Sequence, residues 1–115
     1  MDKPKITRLD LNQFTGSEHY YEHWTNFLCY TDGVQYLAER AGSYWLIDAI
    51  ASYKRKEPFQ VWMLKVKEDK SAVLTMQEDS GQPVKVRQDI PFTDFPLSEI
   101  TLCLIDGILI LPSEY

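Results

Sequence analysis

Hydrophobic and polar positions divide this chain into a helical stretch followed by a strand-rich remainder. From Thr31 to Ala41, the apolar residues Val34, Leu37, Ala38 and Ala41 recur at helical spacing, with Gln35, Glu39 and Arg40 on the opposite side. Thr31 suits the N-cap, and Asp32 sets a negative charge against the positive end of the helix dipole. Gly42 suits the C-cap, and Ser43 can cap a second helix at once. That helix, Ser43–Tyr53, is apolar on nearly every side, and its only charge is Asp48. Asp48 shares a narrow stripe with Tyr44, Ser52 and Arg55, which reads as the one exposed edge. The sharper alternative is a half-buried carboxylate facing a pocket.

From Phe59 the period changes to two. Phe59, Val61 and Met63 alternate with Trp62, Leu64 and Val66, and Ala72–Gln77 predicts a second strand. Val84 and Val86 alternate with Lys85 and Arg87 as a half-exposed strand. Residues 89–97, with two prolines, predict a loop or irregular edge. Ile100–Ile105 and Ile108–Leu111 flank Asp106-Gly107, a dipeptide favouring a type I′ turn that sets Ile105 opposite Ile108 and Cys103 opposite Ile110. Ser17–Tyr30 fits two patterns. Tyr20, Tyr21, Trp24, Phe27 and Leu28 make a helical stripe, yet Tyr20–Trp24 and Phe27–Thr31 also fit two strands around Thr25-Asn26, and the aromatic richness favours the hairpin. Residues 1–16 read as an irregular arm. The expected fold is α+β: a single domain over 1–115, with a mainly antiparallel sheet of about five strands and two consecutive helices packed on one face.

Charge sharpens this picture. The net charge is −5, and residues 1–87 sum to zero, so the excess is Asp89, Asp94, Glu99, Asp106 and Glu114 in the last quarter. The only basic cluster is Lys54-Arg55-Lys56, too short a stripe to displace counterions, so no direct nucleic-acid binding is expected. No apolar run reaches membrane-spanning length, and MDKPKITRLDL lacks the apolar core of a signal peptide, so no membrane partner and a cytoplasmic location are expected. In a reducing compartment Cys29 and Cys103 are expected as free core thiols.

Candidate chemistry is thin. His19 and His23 form H-x-x-x-H, but Tyr20 stands where a zinc protease motif has Glu and no third ligand is evident, so neither metal nor cofactor is expected. Ser17 or Ser43 with His23 and Asp32 or Asp48 could be drawn as a triad, yet no nucleophile elbow is present. Glu68-Asp69 and Glu78-Asp79 sit in predicted turns, where carboxylates are normally just solvated. Phosphate-cradling glycine loops are absent. Tyr20, Tyr21, Trp24, Phe92 and Phe95 are either wall residues or an exposed binding patch.

Four stretches, QFTGSEHYYEH (Gln13–His23), YTDGVQYLAERAGSYWLIDAIAS (Tyr30–Ser52), FTDFPLSEITL (Phe92–Leu102) and LPSEY (Leu111–Tyr115), resemble a small bacterial, plasmid and phage domain family of unknown function. The resemblance implies carriage on mobile elements and a context in which small proteins often inhibit host defence, as anti-CRISPR proteins do; it hands over no catalytic residues. The expectation is a non-enzymatic protein-binding module, monomeric or homodimeric, that sets an acidic surface against a basic nucleic-acid-binding site such as that of a CRISPR-Cas effector subunit. Its expected contact residues are Asp89, Asp94, Phe95, Glu99, Tyr20, Tyr21 and Trp24. The alternative is a small hydrolase or metal-dependent enzyme using His19, His23 and Asp48.

Overall fold

The Asp106-Gly107 turn folds as its chemistry dictates. A type I′ turn needs positive φ at both central residues, and Asp106 and Gly107 have φ 49° and 83°. It joins β6 (Glu99–Ile105) to β7 (Ile108–Ile110), with Ile105 opposite Ile108 and Cys103 opposite Ile110. The computed structural model describes residues 19–79 and 81–114, so the arm expected over residues 1–16 lies outside the described residues.

The other strands are β1 (Tyr20–Glu22), β2 (Cys29–Thr31), β3 (Phe59–Val66), β4 (Ala72–Gln77) and β5 (Val84–Ile90). They form one sheet in the order β1-β2-β7-β6-β3-β4-β5. The class is α+β as expected, but the sheet has seven strands rather than about five, and it is mixed, because β2 pairs with β7 in parallel while the other pairings are antiparallel. Two causes account for the difference. Residues 20–31 form the hairpin β1–β2, which adds two short strands. Its second strand then runs parallel to β7, locked by the Cys29 amide donating to the Gly107 carbonyl at 2.9 Å.

Between β2 and β3 come α1 (Asp32–Ala41) and α2 (Tyr44–Ser52). Thr31 caps α1, its hydroxyl accepting the Val34 amide at 3.4 Å, and Gly42 closes it at φ 61°. Ser43 departs from expectation: it stands at the N-cap of α2 but makes no side-chain cap bond, and its buried Oγ has no partner among the described residues. Both helices cover one face of the sheet, where Leu37, Leu46 and Ile50 meet Trp62, Leu74 and Leu102 in one core. Burying each such side chain contributes about 1.5–3 kcal/mol, which outweighs the missing cap.

Three details differ from the sequence pattern. A bulge at Met76/Gln77 pairs Met76 with Val86 but Gln77 with Val84, so the two valines face opposite sides and Val84 is 52% exposed. β5 continues through Asp89 and Ile90, which the prolines had assigned to a loop; Pro91 ends the strand instead of interrupting it. Gln60, a polar residue in an apolar strand, is buried, donating to the carbonyls of Arg55 and Glu57 (3.2 and 3.1 Å) and accepting the Trp62 indole N–H (2.8 Å).

Candidate functional site

The β1–β2 hairpin matters because of what its connection presents. The His23 amide donates to Leu28 O, and Asn26 takes φ 60°, so residues 23–28 form a tight loop against α2. Inside it His23 is only 4% exposed. Its Nδ1 accepts the Thr25 backbone amide at 3.2 Å and lies 2.8 Å from the Thr25 hydroxyl. A nitrogen that accepts an amide proton carries a lone pair, so the other nitrogen, Nε2, holds the ring proton and donates it to Asp48 Oδ1 at 2.7 Å. Trp24, the next residue, donates its indole N–H to the same oxygen at 3.0 Å. One oxygen of Asp48 thus collects two donors.

The result is an exposed aromatic held in one orientation. Trp24 is 78% exposed, the most open large hydrophobic among the described residues. One face of its ring leans on His23, with centroids 5.3 Å apart at 34°. Asp48 does lie on the exposed stripe of α2 together with Tyr44 and Ser52. Tyr44 donates to Glu39 at 3.0 Å, and partial desolvation, then that hydrogen bond, pushes its phenol up to about 12. Tyr21 stacks on Tyr30 (5.7 Å), and the neighbouring Asp32 carboxylate raises the Tyr21 phenol. Asp32, Glu39 and Asp48 therefore share a surface with Tyr21, Trp24 and Tyr44. Residues 9–39 contain no Lys or Arg, and Arg40 lies over the Tyr36 ring at 5.3 Å.

The structure distributes the expected contact residues unevenly. Tyr21 and Trp24 belong to this face, whereas Tyr20, 57% exposed, lines a cleft on the opposite sheet face with Ile105, Ile108 and Ile110. Phe95 is a correction: at 3% exposure it is a core residue, not an aromatic anchor, and Phe92 at 69% is the ring that the loop offers to solvent. Alternation explains it, since Thr93 and Phe95 point inward while Phe92, Asp94 and Pro96 point out. The acidic last quarter is dispersed. Asp89 pairs with Arg87 at 3.2 Å, Asp106 sits in the β6–β7 turn, and Glu99 begins β6 beside Lys65 on β3. Glu114 is structural, accepting the Thr31 hydroxyl at 2.6 Å and the Leu111 amide at 2.9 Å.

Of the enzyme candidates, His23 and Asp48 meet, whereas His19 lies 3.5 Å from Asp32 and does not join them. Among the described residues no group of three or more His, Cys, Asp and Glu could hold a metal ion. Cys29 and Cys103 are both free thiols.

Residues 5–115 match a family of unknown function, DUF6876. The chain belongs to that family. No curated protein and no solved structure matches the chain. In this DUF6876 member, stretches that carry the family resemblance are also where distant segments meet. His23 of the first reaches Asp48 of the second, and Thr31 of the second reaches Glu114 of the last. No helix among the described residues is long and apolar enough to cross a membrane.

Proposed function

We propose that this protein is a non-enzymatic binding module that takes a basic protein partner on the face formed by Trp24, Tyr21, Tyr44, Asp32, Glu39 and Asp48. The observation that carries the reading is Trp24: 78% exposed, yet fixed by its bond to Asp48. An exposed indole costs hydration free energy, and one already held in place loses little rotamer freedom on binding, which is the character of a hot-spot anchor. Carboxylates around it favour a basic partner and steer its approach. The finer version is a cytoplasmic inhibitor of a host defence complex, carried on a mobile element and occupying a basic nucleic-acid channel. It draws on the family resemblance and on this acidic, aromatic chemistry. The acidic surface is thereby assigned to the helix side, not to the last quarter of the chain.

A hydrolase reading draws on the 2.7 Å pair of His23 and Asp48. The same geometry counsels against it: Nδ1, the nitrogen that would act as base, is occupied by Thr25, two residues along the chain.

Capture from host lysate with the wild type, Trp24→Ala and Phe92→Ala tests the reading. The partner that the wild type retains should bind Trp24→Ala about 30-fold more weakly and Phe92→Ala nearly unchanged. Equal retention by all three would overturn it.

A further inference from the structure

We infer that Trp24 and Asp48 together form a receptor for one arginine side chain of the partner, a deepening that rests on reading this face as the contact surface. Asp48 Oδ1 is saturated by the His23 and Trp24 donors. Asp48 Oδ2 accepts no hydrogen bond among the described residues, although the side chain is 49% exposed. Both donors converge on Oδ1, so the second carboxylate oxygen stands open directly beside the indole. The indole tilts against His23 on its inner side, with centroids 5.3 Å apart at 34°, and at 78% exposure it is otherwise open to a ligand.

A flat cation that also donates hydrogen bonds satisfies both features at once. A guanidinium stacks on the outer indole face and directs an N–H to Oδ2, and its weak hydration makes the transfer from water inexpensive. A lysine ammonium could reach the carboxylate but cannot stack flat, and it is more strongly hydrated. Because Oδ1 is occupied, the contact is a stack plus a single-point bond, unlike the two-pronged pairing usual for arginine and carboxylate. Phosphate and carboxylate ligands are repelled by Asp48 and by Asp32 and Glu39 on the same face. The bare indole alone would fit many apolar groups; the open carboxylate oxygen beside it selects the guanidinium.

The probe is a capped Gly-Arg-Gly peptide, with Gly-Cit-Gly (citrulline, the neutral isostere) and Gly-Lys-Gly beside it. Titrations follow the Trp24 indole N–H resonance of the full chain by nitrogen-15 NMR, assigned as the indole signal lost in Trp24→Phe. The arginine peptide should move this resonance while those of Trp45 and Trp62 stay still. Citrulline should bind about three-fold or more weakly, with lysine between them. Asp48→Asn, with its fold checked by its amide spectrum, should bring the arginine peptide to the level of citrulline. The citrulline comparison needs no variant, so it decides the matter even if Asp48→Asn unfolds. Equal shifts from arginine and citrulline, or none from arginine, would overturn the receptor. If lysate capture still depends on Trp24 in that case, the contact face stands and only its arginine specificity falls.

Discussion

The hydroxyl of Thr31 donates to the carboxylate of Glu114 at 2.6 Å, joining residues 83 apart in sequence. The same hydroxyl accepts the Val34 amide at the start of α1, and Glu114 Oε1 also accepts the Leu111 amide. Glu114 therefore sets a negative charge at the α1 N-terminus, where the helix dipole favours it. Gly33 makes room for this contact, because a Cβ there would lie 2.7 Å from both Glu114 Oε1 and Leu111 Cδ1.

Gly33→Ala should consequently destabilise the protein by about 1–2 kcal/mol, although a helical Gly→Ala change is ordinarily stabilising by up to about 1 kcal/mol. Combining it with Glu114→Ala should cost less than the sum, since both break one contact. Urea melts of the two single variants and the double variant read this directly. A stabilised Gly33→Ala would mean that the C-terminal turn does not pack on α1.

Gln60→Leu should cost about 2–3 kcal/mol despite placing an apolar residue in an apolar core. It strands the Trp62 indole N–H and two carbonyls without partners. Denaturant melts check the cost, and a loss below about 0.5 kcal/mol would show that the network is dispensable.

Thiol labelling of the native protein should reach Cys29 well before Cys103. Cys103 is 8% exposed, and its burial pushes the thiol pKa up, leaving less of the reactive thiolate. The Cys29→Ser variant should thus be nearly inert to Ellman's reagent until unfolded. Equal native rates for the two thiols would show that the β3–β6 surface opens readily.

Charge reversal should separate the two acidic surfaces. Glu39→Lys is expected to weaken partner binding about five-fold, and Glu99→Lys much less, with neither moving Tm appreciably. Added salt should weaken binding by the wild type, because exposed charges are screened over about 8–10 Å. Surface plasmon resonance at several ionic strengths would reveal the opposite ranking if the last quarter were the contact.

Local chemistry was legible in the sequence and long-range chemistry was not. The Asp106-Gly107 turn fixed a register that the structure reproduces, and the α1 cap and Gly42 behave as their residue types require. Ala72–Gln77 matches its predicted span, since alternation and flanking turns define it without outside help. The β2–β7 parallel pairing left no local mark, because three-residue strands carry too short a pattern. The bulge beside Val84 depends on β4, and the burial of Phe95 was hidden by prolines that suggested an exposed loop. His23 and Asp48 were both candidates, but only the fold of residues 23–28 over α2 turns an aromatic stretch into a positioned Trp24.

The pairing of β2 with β7 also orders events during synthesis. The hairpin bearing Trp24 is made early, yet its parallel neighbour is the last strand of the sheet to leave the ribosome. Until that strand emerges, β2 has only β1 beside it, and an isolated two-stranded hairpin is at best marginally stable in water. A nascent chain therefore carries the tryptophan on an unsupported hairpin, and its setting is complete only as the final strand closes the sheet.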